Sequence, residues 1–336
     1  MKYLYIIYIS ICLFILTACD NKQKNVLPQE EIASFELYKN DVIITPPMQM
    51  VDVGDYIVFS TPEMTSPLQF FDKNTYNQIP WGRKDQGPDG YSFVRWSEWN
   101  DNGDKKVRLF DGNLRKCNEY VFITEDSILL NPVQSWKIIS ENYINNFHTM
   151  PNGQAIGFIG TNNQDMFALM DENMQIKKTF GRNPINKMQR NHRMYGWFTS
   201  YGDRLYFASQ PASYVVCFEI KQNDEITMKW ERMLTEPIFD EKNDNFSEKT
   251  FRGFYDIESD ENYLYLLYSG KSFALNEKTT PQNILIMTHD GDIIKNLKFP
   301  DNEILRIALS DDGIIYAYDH IWESLLKYDI TQYAHP

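Results

Sequence analysis

The sequence predicts an all-β fold, a six-bladed β-propeller whose last blade is completed by an N-terminal strand. Three observations carry that prediction. Six polar turns recur down the chain: Asp52-Val53-Gly54-Asp55, Asn102-Gly103-Asp104, Pro151-Asn152-Gly153, Tyr201-Gly202-Asp203, Asp260-Glu261-Asn262 and Asp311-Asp312-Gly313, at intervals of 49, 50, 49, 60 and 51 residues. Each turn is followed by a short run of aromatic and β-branched residues, the composition suited to a pleated, half-buried surface. The last unit stops one strand short, and an orphan strand-like run stands near the N-terminus.

The elements follow in order. Residues 3–18 are uncharged, follow Lys2 and end in Leu16-Thr17-Ala18-Cys19. Sixteen apolar residues are short for a membrane span, which needs about 20, and the basic flank and small-residue end are those of a secretory signal. Leu16-Thr17-Ala18-Cys19 resembles the lipobox of bacterial lipoproteins, which implies cleavage before Cys19 and acylation of its thiol. Residues 1–18 are then a signal peptide and 19–31 a polar, lipidated tether. Removal of Lys2 takes the formal charge from −13 to −14, so a basic surface is not the expected means of attachment. Acyl chains, each buried methylene contributing about 0.8 kcal/mol, are.

Residues 32–331 form the expected propeller. Asn-Gly and Asp-Gly turns tolerate the positive φ of tight hairpins, and the runs after them read as strands: 56–59, 106–110, 155–158, 205–207, 263–267 and 314–318. Further strands at 68–72, 166–171, 215–219 and 284–287 fill the units, with no helical period between them. A period near 50 residues with about four strands per unit is a propeller blade, and blades bury their faces on one another around a ring. The final unit offers three strands, and Ile32-Ala33-Ser34-Phe35-Glu36-Leu37 is the expected fourth, removing two exposed edges.

The segment Trp81-Gly82-Arg83-Lys84-Asp85-Gln86-Gly87-Pro88-Asp89-Gly90-Tyr91 resembles the Gly-rich junction after the first blade of TolB-like six-bladed propeller lipoproteins of Bacteroides-type bacteria. Lys84 and Asp89 stand where glycine is usual there, and Phe180-Gly181-Arg182-Asn183-Pro184 is a weaker echo two blades later. The resemblance implies the fold and the envelope compartment. It implies no activity, because that family has no common one.

With 46 acidic against 33 basic side chains, 43% hydrophobic and 24% charged residues, the chain is neither disordered nor built for nucleic acid. Propeller ligands bind where the innermost strands begin. Arg95, Arg193, Arg252 and Arg306 stand at such places in four blades and predict a cationic mouth that grips a carboxylate or phosphate through forked contacts; the alternative is that they pair with Glu98, Asp256 or Glu303. Tyr91 and Trp96, beside the Gly-rich junction, are the aromatics expected to be exposed for stacking, and His148 is expected to converge on the mouth. No histidine pair or Cys-x-x-Cys has metal-ligand spacing, no EF-hand or nucleophile elbow occurs, and nothing in the sequence names a cofactor. Cys117 and Cys217 fall in blades two and four, beyond the roughly 7 Å that a disulfide allows, and are expected to be free thiols. Residues 231–249 account for the longest interval between turns and are an insertion, either a solvated loop or a lid or partner-binding arm.

The expected function is a lipid-anchored, non-catalytic binding or scaffold module of the cell envelope, facing the periplasm or the exterior. Its partners are the membrane, through lipid on Cys19, and at the mouth a small anionic ligand, a glycan or a protein segment. A monomer is expected. The enzymatic alternative is a propeller hydrolase or lyase acting on glycans, or a lactonase-like metal-dependent hydrolase.

Overall fold

The computed structural model describes residues 29–32, 36–38, 45–62, 64–87, 90–124, 128–161, 165–272, 274, 279–299 and 302–333. The signal peptide, Cys19 and most of the tether lie outside the described residues. The chain is a six-bladed β-propeller. Blade 1 runs from its innermost strand Gln49–Asp52 through Tyr56–Ser60 and Leu68–Asp72 to Gln78–Trp81, all antiparallel neighbours. Blade 2 spans Arg95–Asp101 to Leu129–Lys137, blade 3 Ile144–Thr149 to Ile176–Arg182, blade 4 Gly196–Tyr201 to Ile226–Met233 and blade 5 Phe254–Ser259 to Ile293–Lys298. Blade 6 takes three strands, Ile304–Leu309, Ile314–Asp319 and Ser324–Asp329, from the C-terminal end of the chain.

Its fourth strand is Glu36–Tyr38, antiparallel to Ser324–Asp329 with Glu36 opposite Lys327 and Tyr38 opposite Leu325. The N-terminal closure expected from the missing strand is therefore present. Two boundaries differ: the strand expected over 32–37 is found at Glu36–Tyr38, and Glu30–Glu31, assigned to the tether, pair in parallel with Ile293–Lys298 at the outer edge of blade 5. The chain thus fastens two neighbouring blades before it enters blade 1.

All six recurring turns join an innermost strand to the second strand of its blade. Asn102 and Gly103 both have positive φ (52° and 99°), the geometry of the two-residue hairpin that pairs Asp101 with Asp104. The fifth turn has no glycine; the Asp260 carboxylate instead accepts the backbone N–H groups of Asn262 (2.7 Å) and Tyr263 (2.8 Å).

The core is distributed rather than central. Six apolar clusters fill the six blade interfaces, so every sheet is covered on both faces. At the junction of blades 3 and 4, Phe167 lies 5.0–6.1 Å from the rings of Phe158, Phe180, Phe198, Phe207 and Phe218. A Cβ at Gly181 would stand 2.3 Å from the Phe167 ring, which is why this part of the weaker echo is glycine. In the stronger junction a Cβ at Gly90 would meet Asp85 Oδ1 at 1.8 Å, and that same oxygen accepts the N–H of Gly87 at 2.7 Å.

Cys117 and Cys217 are both buried and free. Burial pushes both thiols up to about 12, so neither is a reactive thiolate at neutral pH. Titration of the denatured, unreduced mature domain is expected to find both; finding none would mean they are oxidised. Residues 231–233 belong to the fourth strand of blade 4 rather than to the expected 231–249 insertion, and the rest of that stretch carries a small hairpin, Phe239–Asp240 with Asn245–Phe246, closed by an edge-to-face contact of its two phenylalanines at 5.6 Å. Asp244 anchors it by accepting from Gln189 N (2.9 Å) and Arg190 Nε (2.8 Å) of the loop after blade 3.

Candidate functional site

The innermost strands are tied to one another by side chains in a closed circuit. Gln49 of blade 1 donates to the Trp96 carbonyl and accepts from its N–H, both at 2.9 Å. Ser97 Oγ of blade 2 accepts from Thr149 N of blade 3 (2.5 Å), and Asn146 of blade 3 donates to the Gly196 carbonyl of blade 4 (2.7 Å). Thr199 and Ser259 link blades 4 and 5 through their hydroxyls (2.9 Å). Asp256 of blade 5 accepts from Ile307 N of blade 6 (3.1 Å), and Arg306 Nε returns to the Met48 carbonyl at the entry to blade 1 (2.9 Å). Every step uses a polar side chain of an innermost strand, because such a strand has backbone groups on its channel side that only a neighbouring blade or water can pair.

A cavity of about 360 Å³ opens where these strands begin. Its floor is made by Arg95, Arg306 and Trp197, and its walls include Tyr195, Asn145 and Gln210. Each arginine is only 7% exposed. Arg95 Nη1 donates to the Met48 carbonyl at 2.9 Å, and its guanidinium carbon lies 4.7 Å from the centre of the Trp197 ring. Arg306 Nη1 donates to the carbonyls of Tyr255 (3.1 Å) and Leu305 (2.5 Å), and its guanidinium carbon lies 4.1 Å from the same ring. Two cations over one indole offset part of their desolvation through the ring's negative faces.

Neither guanidinium has a carboxylate oxygen within 4.0 Å among the described residues, and Nη2 of each has no hydrogen-bond partner there. Asp256 is the nearest counter-charge in electrostatic terms, but its two oxygens are taken by the backbone N–H groups of Ile257 and Ile307 (both 3.1 Å). Burial, then the charge of Arg306, pushes Arg95 down to about 9, against the pull of Asp256. It remains protonated at neutral pH. The residues lining the cavity include no carboxylate, imidazole or thiol.

Below the cavity lies a tier of carboxyl groups. Burial raises Asp256 to about 6, opposed by Arg306. Glu258, two residues further on, is half-buried and makes no hydrogen bond or ion pair with described residues. Burial and then the charges of Asp256, Asp52 and Glu98 hold it well above the usual carboxylate range. Glu98 is also raised by burial, but pairs with Lys105 (3.0 Å) and accepts from Trp96 Nε1 (2.9 Å).

Of the residues singled out from the sequence, Arg95 and Arg306 meet in the cavity. Arg252 does not line it, although its charge acts on the rim hydroxyl of Tyr195. Arg193 sits on a short 3-10 helix, Asn191–Met194, toward His192 and Asp244. The four arginines are not at equivalent places: the pairing of blades 3, 5 and 6 shifts just before Asn146, Asp256 and Arg306, so the counterpart of Arg306 in blade 5 is Asp256. His148 lies deeper, bonded to Ser200 Oγ at 2.7 Å, and burial pushes it down to about 4, leaving it neutral.

The expectation that Tyr91 and Trp96 are exposed is corrected. Tyr91 is 1% exposed, its hydroxyl held by Tyr120 (2.7 Å) and Asn118 (2.6 Å); Trp96 is 2% exposed, against Phe70 and Phe122. Side chains of an innermost strand point to the neighbouring blades, since the sheet faces are there and only the strand edge faces the channel. Trp197, Tyr195, Asn145 and Gln210 complete the lining, and no spacing in the sequence brings them together. Gln210 follows the second strand of blade 4 and gives no inner-strand signal at all.

The architecture has counterparts among solved structures. A Bacteroides fragilis protein assigned as exported aligns over 90% of this chain and 98% of its own, at 14% identity and a TM-score of 0.59. A member of the DUF4221 family from Bacteroides vulgatus aligns over 92% and 98%, at 14% identity and a TM-score of 0.55. The β-propeller domain of fungal Cps50 (Swd1) from Myceliophthora aligns over 90% and 100%, at 12% and 0.51. At these identities the likeness is one of fold. No protein-family model matches the chain, and no curated protein matches it either.

Proposed function

We propose that this chain is an exported, lipid-anchored binding protein of the cell envelope that captures a small anion, a carboxylate or phosphate, at the mouth of its central channel. The observation that carries the reading is the pair of buried arginines on the cavity floor, cationic and without an ion-pair partner among the described residues. Buried charges are ordinarily paired, and a forked guanidinium is suited to an anionic group with two acceptor oxygens. Export and anchoring rest on the lipobox-like Leu16-Thr17-Ala18-Cys19, with support from the fold's likeness to a Bacteroides protein assigned as exported. A place among TolB-like envelope propellers is consistent with both.

Calorimetry with acetate and inorganic phosphate tests the site. At least one is expected to bind the mature domain, and Arg95→Gln, of similar reach but neutral, is expected to weaken it roughly tenfold to a hundredfold, the worth of about 1.5–3 kcal/mol for hydrogen bonds to a charged group. Arg95→Lys is expected to retain an intermediate affinity. Binding that survives Arg95→Gln unchanged, in a variant of unaltered thermal midpoint, would overturn the reading.

A further inference from the structure

The groups around the arginine pair narrow the chemical class of what the cavity takes. The Gln210 side-chain amide makes no hydrogen bond among the described residues, although its backbone is fixed by Tyr195 O (3.0 Å) and Gly253 N (2.8 Å). Asn145 likewise makes no side-chain hydrogen bond, and its Oδ1 is buried without a partner. The Tyr195 hydroxyl is unpartnered in a residue 41% exposed, and burial pushes its ionisation up, so at neutral pH it both donates and accepts. Asn113 spends its Oδ1 on the Tyr143 hydroxyl (3.2 Å) and keeps its N–H₂ free. By contrast Asn146, on the same wall, is fully engaged in the blade circuit. Uncommitted amides therefore cluster at the cavity, whereas Gln49, Ser97, Thr199 and Ser259 of the inner strands are paired across blades.

A bare carboxylate or a phosphate fills the arginine pair with acceptors but supplies few donors for an amide oxygen. A free amino acid supplies donors on an ammonium, which two guanidinium groups repel. A peptide acid supplies one N–H per residue, spaced more than 3 Å apart along the chain. A hydroxylated ring carrying a carboxylate supplies, on adjacent carbons, groups that donate to Gln210 and accept from Gln210, Asn113 and Tyr195 at once. The cavity, about 360 Å³, stands at the small end of ligand sites, which run to about 1,000 Å³, and suits one or two such rings. Resting on the anion-binding reading above, we infer that the ligand is a sugar acid of one or two residues, its carboxylate on Arg95 and Arg306 and its hydroxyls on Gln210, Tyr195 and Asn113.

Calorimetry of the mature domain with glucuronate, galacturonate, glucose, acetate, phosphate and an acetylated dipeptide acid tests this. At least one uronate is expected to bind tenfold or more tightly than acetate or glucose. Tyr195→Phe and Gln210→Met are each expected to weaken the uronate two- to tenfold, the range for a neutral hydrogen bond, and to leave acetate unchanged; Arg95→Gln is expected to weaken both. Acetate or phosphate binding as tightly as either uronate, or the dipeptide acid binding more tightly, would overturn the sugar-acid inference while leaving the anion site standing. Glucose matching the uronates, or no anion binding at all, would overturn the anion site itself. Thermal midpoints of the variants, each a local change that leaves the backbone bonds in place, separate lost contacts from lost folding.

Discussion

Adding one methyl group at Gly253 is expected to destabilise the propeller by about 3 kcal/mol. A Cβ there would stand 2.1 Å from the Ala212 carbonyl oxygen and 2.4 Å from that of Ser209. Both obstacles are backbone, so no side chain can swing away. Gly253 also donates to the Gln210 carbonyl (2.8 Å) and accepts from Ser269 (3.0 Å), wedging the start of blade 5 against blade 4. The relief available is to part the two blades, at the expense of their shared cluster around Trp197, Phe254 and Leu266. Gly54→Ala is the control. Gly54 has a φ of +87° but nothing within 4 Å of the added carbon, so it carries only the left-handed penalty of about 1–2 kcal/mol. Denaturant midpoints should rank Gly253→Ala well below Gly54→Ala and the parent; equal losses would show that the two blades part at little cost. Because Gln210 hangs on the same contact, Gly253→Ala should also blunt the mouth.

The turns and the closing strand were legible because both follow from local rules: positive-φ residues at a fixed interval, and a sheet that lacks one edge. Glu30–Glu31 was not legible as a strand, since two acidic residues in a polar run carry no β pattern and their pairing depends on a partner more than 260 positions away. At the mouth, charge was the readable signal. Arg95 and Arg306 stand out in apolar company, whereas Asn145, Gln210 and Tyr195 look like any polar loop residue. Arg193 and Arg252 show the limit of counting: a short helix and an irregular strand start displace each from the register of its neighbours. Tyr91 and Trp96 show another, because proximity in sequence to the mouth does not say which face of the strand a side chain takes. The carboxyl tier has its own sequence signal, namely Asp256 and Glu258 alternating with Tyr255 and Ile257 in an otherwise buried strand.

That tier gives the propeller an unusual dependence on pH, and Glu258→Gln should expose it. A carboxyl raised in the folded state binds protons that the unfolded chain has already released, so its favourable contribution is complete below the unfolded value and is lost as pH rises through the folded one. Asp256, raised to about 6, therefore weakens the fold as pH climbs from about 4 through 6, and Glu258, held well above its ordinary range by burial and then by Asp256, Asp52 and Glu98, carries the loss to higher pH. His148 acts with the opposite sign: pushed down to about 4 by burial, it favours the fold above its ordinary value of 6.5 and weakens it as pH falls between 6.5 and about 4. A titration displaced by two pH units is worth roughly 3 kcal/mol, so over pH 4–6 the gain from His148 and the loss from Asp256 largely cancel, and the loss from Glu258 is what shows as a net fall in stability as pH rises. The cations within the tier do not cancel this, since Lys73 is engaged by Asp52, Lys105 by Glu98, and Glu258 has no ion-pair partner among the described residues. Glu258→Gln keeps the shape and removes the charge. At pH 8 it should stabilise the domain by about 2 kcal/mol, the cost of an uncompensated partly buried carboxylate, while below pH 5 it should be nearly neutral. Removing one carboxylate from the neighbourhood should also lower the titration of Asp256, shrinking the loss that Asp256 itself contributes as pH rises. An unfolding midpoint that keeps the parent's slope between pH 6 and 8 after this substitution would mean that Glu258 is solvated by the channel as well as it would be in free water, and that the tier holds no stored charge.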